Sequence, residues 1–180
     1  MLKTMMFATF AAMLQAGSAL ADMALTSPDL ADGGALKLDQ VLDGFGCKGG
    51  NVSPALSWSG APKGTRSFAL TVYDPDAPTG SGWWHWTVFN LAADVTSLPA
   101  GASGHPALLK GAVEGRTDFG KPGFGGACPP PGKPHRYIFT LHALKVDAVP
   151  VDADASAAML GYMLKANTIA EARLTAYYGR

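Results

Sequence analysis

The sequence has little charge and no excess of either sign. Its 180 residues include 14 Lys and Arg and 14 Asp and Glu, so the formal net charge at pH 7 is 0. No stripe of basic residues stands out, which argues against a nucleic-acid binder. Short catalytic motifs are missing too, since we find no G-x-S-x-G, no H-E-x-x-H and no Walker loop. Neither composition nor motif therefore points to a familiar class of enzyme.

The sequence also lacks an apolar run long enough to span a bilayer, which takes about 20 residues. The run Met5–Leu14 is shorter, follows the positive Lys3 and precedes the small-residue site Ala19–Ala21. This order is typical of a secretory signal peptide rather than of an N-terminal membrane anchor. We predict a signal peptide over 1–21 and an exported protein, periplasmic or secreted, whose residues 22–180 form a single domain.

Cysteine is scarce, with only Cys47 and Cys128 in the chain. In an oxidising compartment two cysteines usually pair, so we predict one disulfide. Closing a loop of about 80 residues stabilises a fold by roughly 4–5 kcal/mol in the chain-entropy model. The alternatives are a reactive thiol or metal ligands. They are disfavoured because the sequence has no C-x-x-C and no His within four residues of either cysteine.

Glycine and proline are abundant, at 22 and 13 residues, which favours many turns and short strands over a helical bundle. The central stretch Ser67–Leu91 shows this best. Two alternating, strand-like runs, Ser67–Tyr73 and Trp84–Leu91, flank a loop rich in Asp, Pro and Gly. The alternation predicts that His85, Phe89 and Leu91 share one face. Two carboxylates follow the first strand, and a His and several Trp lie at the start of the second. Such a group of charged and aromatic residues at a loop indicates a functional site.

Outside this hairpin the pattern predicts further strands at Ala24–Thr26, Leu56–Ser59, Tyr137–Leu144 and Arg173–Tyr178. A helix is predicted from about residue 155 towards 172, capped by Asp152 or Asp154, with Met159 and Met163 in its apolar stripe. The irregular segment 111–134 is long for a loop, and we expect Cys128 to keep it ordered.

The candidate site residues support more than one chemistry. Asp74, Asp76, His85 and His135 allow a two-His carboxylate metal site, although nothing indicates one. A pocket with His donors and indole walls also suits a small anion or a phosphorylated headgroup. Nearby carboxylates are expected to raise the pKa of a His and keep it donating. They also repel an anion, so a zwitterion with an ammonium group would satisfy both.

Several other residues are given structural roles on the sequence alone. His142 lies in the middle of a predicted strand and is interpreted as an ordinary structural or surface residue, and His105 is predicted to be solvent-exposed. We expect Trp58, Met159 and Met163 to belong to the core.

Distinct motifs make the chain resemble the phosphatidylethanolamine-binding protein family, in particular its bacterial branch, also called Raf kinase inhibitor-like. The resemblance covers almost all of the predicted mature chain. It rests on Asp74-Pro75-Asp76-Ala77-Pro78, Gly82-Trp83-Trp84-His85-Trp86, Cys128-Pro129-Pro130 and Pro134-His135-Arg136-Tyr137.

The resemblance implies a mainly β fold, with a large antiparallel sheet packed on a smaller one and a helix near the C terminus. It also implies an anion pocket walled by Asp74, Asp76, His85, Pro129 and His135. Both His would donate to the anion and Asp74 would orient one of them.

By the same resemblance, Trp84 would lie near this pocket, and catalysis, a cofactor and a bound metal are not expected. The first interpretation is therefore an exported binder of a phosphate-type anion or phospholipid headgroup. The alternative is a secreted inhibitor of a protease or another enzyme, acting through the pocket-side surface, and a metal-dependent hydrolase ranks third. A homodimer is left open.

Overall fold

A five-stranded antiparallel sheet organises the computed structural model, which describes residues 22–180. The predicted signal peptide over 1–21 lies outside the described residues. The strands, numbered in chain order, are β1 Ala24–Thr26, β2 Asp43–Gly44, β3 Cys47–Lys48, β4 Leu56–Ser59, β5 Ser67–Asp74, β6 Trp83–Ala92, β7 Ser97–Leu98, β8 Val113–Glu114, β9 His135–Leu144 and β10 Thr168–Tyr178. A 3-10 helix covers Leu38–Gln40 and the helix α1 covers Ala157–Asn167.

The large sheet has the order β10-β9-β5-β6-β8, and a smaller sheet has the order β1-β4-β7. The main core lies on one face of the large sheet and joins Leu70, Trp86 and Phe139 to Leu56 and Trp58 of the small sheet. On the opposite face α1 covers a second cluster that includes Phe89 and Leu160. The mainly β fold expected from the resemblance is thus confirmed. Within residues 22–180, no helix is long and apolar enough to cross a membrane.

A β-bulge changes the predicted alternation in β6. Phe68 pairs with Leu91 but Leu70 pairs with Val88, so β6 carries one extra residue there. Asn90 adopts φ 62° and its side chain accepts a hydrogen bond from the backbone N–H of Val149 at 2.8 Å. Leu91 consequently joins the main core while Phe89 packs under α1. The prediction that these two side chains share a face is wrong, because a single extra residue reverses the alternation.

Helix α1 begins later and ends earlier than the sequence pattern predicted. Ser156, not Asp152 or Asp154, is its N-cap and accepts from the N–H of Met159 at 3.2 Å. The Asp152 carboxylate instead accepts from the backbone N–H of Ala155 within the preceding turn. The helix stops at Asn167 and β10 follows directly, so it does not reach residue 172.

Met159 was expected in the core but is 48% exposed, since Leu160 and Leu164 fill the buried stripe of α1. Met163 is partly buried against the same cluster, and Trp58 lies in the main core as expected.

Candidate functional site

Three chain segments meet at one end of the large sheet. Asp74 is the last residue of β5, His85 lies near the start of β6, and His135 is the first residue of β9. Since β5 runs antiparallel to both neighbours, its end lies beside their beginnings. The topology therefore brings together three of the residues singled out from the sequence, across 61 positions of the chain between Asp74 and His135.

Asp74 and His135 form a buried pair. The Nδ1 of His135 lies 2.7 Å from Oδ2 of Asp74, and the two residues are 8% and 3% exposed. The other carboxylate oxygen of Asp74 accepts from the backbone N–H of Asp76 at 2.8 Å. The carboxylate holds the imidazole in one orientation with Nδ1–H donating, so Nε2 is the ring atom left for a ligand.

His85 offers a different hydrogen-bonding character. Its Nδ1 lies 2.7 Å from the carbonyl oxygen of Gly125, and a carbonyl only accepts, so Nδ1 carries a proton. Burial lowers the pKa of His85, and this effect outweighs the opposing ones of the Gly125 carbonyl and the Asp74 carboxylate. We expected carboxylates to keep this imidazole charged and donating. In the folded protein at neutral pH it is uncharged, and Nε2 is an acceptor.

Two hydrogen-bond donors in the pocket wall have no partner among the described residues. They are the O–H of Tyr137, a residue only 2% exposed, and the indole N–H of Trp83. Burial raises the pKa of Tyr137, so its hydroxyl stays protonated. Leaving a buried donor unpaired costs about 1–3 kcal/mol, so a ligand that supplies an acceptor to either group is bound more favourably.

The sequence reasoning missed Tyr137 and Trp83 as wall residues. A signal was present for Tyr137, which has the strand parity of His135. None was present for Trp83, because its pairing with Asp74 depends on the register shift at His85.

The pocket itself has a volume of about 160 Å³ and a largely apolar rim. Its rim residues come from three loops and are Phe45, Pro78, Phe119, Pro129 and Pro130. The predicted disulfide is confirmed between Cys47 and Cys128, with the Cα atoms 5.9 Å apart. The bridge thereby ties the chain beside Phe45 to the chain that continues into Pro129.

Of the predicted wall residues, Asp74, His85, Pro129 and His135 line the pocket, and Asp76 and Trp84 do not. Asp76 pairs outside it with Arg136, accepting from the backbone N–H at 2.9 Å and from the guanidinium at 2.8 and 2.6 Å. The Arg136 guanidinium lowers the pKa of Asp76 to about 2. Both predicted carboxylates are thus engaged within the protein.

Trp84 lies on the opposite side of the sheet, where its ring packs 4.6 Å from that of Tyr73, between ring centroids. A second bulge explains this placement, because Tyr73 pairs with Trp84 while Val72 pairs with Trp86 and leaves His85 as an extra residue. The prediction that Trp84 lies near the pocket is corrected to its neighbour Trp83.

Across residues 22–180, no three His, Cys, Asp or Glu side chains are grouped so as to hold a metal ion. The two-His carboxylate arrangement that the sequence allowed is therefore not assembled there. Of the remaining His residues, His105 is exposed as expected, and Nδ1 of His142 lies 3.2 Å from a carboxylate oxygen of Glu171.

Fold and site together define a β-rich protein with a small pocket, which holds two His and one Asp within a largely apolar rim, at one end of its main sheet. The family described as phosphatidylethanolamine-binding protein matches residues 26–179. The chain belongs to this family, as its motifs predicted.

Its relatives include two UPF0098 proteins of Escherichia coli K12. YbcL is 54% identical over 180 residues, covering 98% of both chains, and YbhB is 52% identical over 157 residues, covering 87% of this chain and 99% of YbhB. The crystal structure of E. coli YbcL, described as a member of the mammalian PEBP family, matches with a TM-score of 0.86 at 56% identity, over 89% of this chain and 99% of that one. The Chlamydia trachomatis homologue CT736 matches with a TM-score of 0.74 at 31% identity, over 88% and 98%.

Proposed function

We propose that this chain is an exported binding protein that holds a small phosphate-type anion, free or as part of a larger molecule, and performs no catalysis. The observation that carries the proposal is the pair of unpartnered donors, Tyr137 O–H and Trp83 N–H, in a pocket with two oriented imidazoles. An anion supplies the acceptors that these donors lack, and hydrogen bonds to a charged group contribute about 1.5–3 kcal/mol each.

The neutral His85 refines the choice of anion. Its Nε2 accepts, so a ligand that carries one hydroxyl beside its anionic oxygens satisfies the pocket better than one without. Monohydrogen phosphate and phosphate monoesters in their monoprotonated form have such a P–OH group. Sulfate and phosphate diesters have none at neutral pH. A site that hydrogen-bonds a substrate hydroxyl discriminates strongly against analogues lacking it, because the buried partner is then left unpaired.

An ammonium group on the ligand is not required. The zwitterion that the sequence suggested needed a free carboxylate, but Asp74 pairs with His135 and Asp76 pairs with Arg136. Phosphate and the monoprotonated form of phosphoethanolamine should therefore bind with similar affinity.

The proposal is tested by calorimetric titration at pH 7 of residues 22–180 with phosphate, sulfate, phosphoethanolamine and glycerophosphoethanolamine. We expect saturable binding of phosphate, which carries a P–OH in both of its forms at this pH. Phosphoethanolamine should show weaker apparent binding, because its second phosphate pKa of about 6 leaves only a minority monoprotonated. Sulfate and the diester should bind at least about tenfold more weakly than phosphate. His135→Ala should abolish binding, and His105→Ala, at an exposed site, should leave it unchanged. Absent binding at millimolar phosphate, or unchanged binding by His135→Ala, would overturn the proposal. Stoichiometric inhibition of an envelope protease would then favour the inhibitor alternative.

A further inference from the structure

A second polar groove lies on the opposite face of the large sheet, beside α1. Its volume is about 490 Å³, and its floor includes Thr71 of β5 and Thr140 of β9. Trp84 and Tyr73 stand among its walls. The sheet separates it from the anion pocket, since Trp83 lines one and Trp84 the other. The proposed function does not involve this groove.

The groove floor presents two threonine hydroxyls. Thr71 and Thr140 are directly paired across the strands and are 4% and 8% exposed. Among residues 22–180, neither hydroxyl takes part in a side-chain hydrogen bond, although both side chains line the groove. A hydroxyl both donates and accepts, so this floor matches a ligand whose own groups do both. Ligand hydroxyls meet that requirement.

The walls of the groove add positive charge. Arg173 is the cross-strand partner of Thr140, and Lys165 projects from α1. The one carboxylate there, Glu171, is already engaged by the Arg173 guanidinium at 2.9 Å and by His142 at 3.2 Å. In the described part of the chain Lys165 has no ion-pair partner. The groove therefore has an uncompensated cation suited to a ligand carboxylate.

Trp84 supplies the third element of recognition. Its ring packs against Tyr73 and lies 3.7 Å from the point where a Cβ on Gly161 would sit, so it is wedged beside the helix. Ring edges and faces of this kind pack well against the C–H groups of a sugar ring.

The geometry points to a binding site for an acidic saccharide, a sugar unit that carries both hydroxyls and a carboxylate. Its hydroxyls bond Thr71 and Thr140, its carboxylate lies near Lys165, and its ring contacts Trp84.

The test is a two-dimensional amide NMR titration of residues 22–180 with glucuronate, with glucose and acetate as partial ligands. We expect glucuronate to shift amide signals of β9 and β10 around Thr140 and Arg173 in a saturable manner. Glucose and acetate should each bind at least about tenfold more weakly, because each offers half of the interactions. Shifts confined to the surroundings of His135 would place the carboxylate in the anion pocket and overturn the inference, as would the absence of saturable shifts or equal binding of glucose.

Two variants complete the test. Thr140→Val keeps the shape and removes one hydroxyl, and Lys165→Met removes the charge at an exposed site, so folding does not depend on it. Each should weaken glucuronate binding about tenfold. His135→Ala should leave glucuronate binding unchanged, which separates this site from the anion pocket. Unchanged affinity in both groove variants would overturn the inference.

Discussion

Tyr137 has its hydroxyl buried without a partner, at a cost to the stability of the free protein. Tyr137→Phe removes that cost and keeps the ring contact with His85, whose centroid lies 5.0 Å away. We expect the variant to raise the free energy of unfolding by about 1 kcal/mol without ligand and to weaken phosphate binding about tenfold. Urea unfolding with and without phosphate measures both effects.

The matched control is Tyr162→Phe, because Tyr162 is 71% exposed. It should change neither stability nor binding. If Tyr137→Phe were less stable than the unmodified protein and bound phosphate normally, the hydroxyl would have a structural partner and no role in the pocket.

His85 makes stability depend on pH. Burial lowers its pKa in the folded protein, so on acidification the unfolded chain takes up the proton first. The contribution of His85 to the free energy of unfolding is therefore fully present above the unfolded pKa of about 6.5, and it is lost as the pH falls below that value. His142, whose pKa burial also lowers, adds to the same loss.

We expect His85→Gln to reduce the decline in unfolding free energy between pH 7 and pH 5, measured by urea unfolding at each pH. His105→Gln, at an exposed position, should keep the original slope. A His85→Gln variant with the slope of the unmodified protein would show that His85 accepts a proton without cost in the fold.

At the scale of single residues, the sequence predicted part of the candidate site. The residue types and their order pointed to Asp74, His85 and His135, and the structure brings them together. The choice between Trp83 and Trp84 could not be made, because it depends on a bulge that shifts the side-chain alternation by one residue.

At the scale of elements, the rim of the anion pocket is held by Arg180, which follows β10. The Arg180 guanidinium donates to the Pro129 carbonyl at 2.6 Å and to the Phe45 carbonyl at 3.5 Å, and the Arg180 carbonyl accepts from Gly132 at 3.1 Å. One side chain thus joins two of the three loops that border the pocket.

We expect Arg180→Ala to weaken phosphate binding several-fold while changing unfolding free energy by no more than about 1–2 kcal/mol, because the loops become mobile while the core stays packed. Calorimetric titration and urea unfolding test this. Arg66→Ala is the control, since Arg66 pairs with Asp147 at an exposed site. Undiminished phosphate affinity in Arg180→Ala would show that the rim needs no such clamp.

The ends of elements were the least predictable from sequence. The strands Ala24–Thr26 and Leu56–Ser59 agree with their predictions, and Tyr137–Leu144 extends by two residues to His135. The helix differs more, because Ser156 competes with Asp152 and Asp154 as cap and only the fold of the preceding turn decides among them. Pairing of β10 with β9 across its length then draws residues from 168 onwards into the sheet.

At the scale of the whole molecule, motif order was enough to predict the fold and the family, since the motifs occupy the ends of the central strands. The groove beside α1 had no such signal. Thr71, Thr140 and Arg173 come together only through the register of three strands, and no local pattern in the sequence encodes that register.

The disulfide belongs to this largest scale because it joins segments 81 residues apart and borders the pocket. Replacing Cys47 and Cys128 with Ser should lower the free energy of unfolding by about 2–5 kcal/mol, since the bridge restricts the unfolded chain. It should also weaken phosphate binding, because Arg180 alone then connects the Pro129 segment to the Phe45 loop. Urea unfolding and calorimetry of the double variant measure the two effects, with reduced unmodified protein as a matched reference. If binding were unaffected while stability fell, the bridge would act only on the fold, and the rim would be fixed by Arg180 and its neighbours.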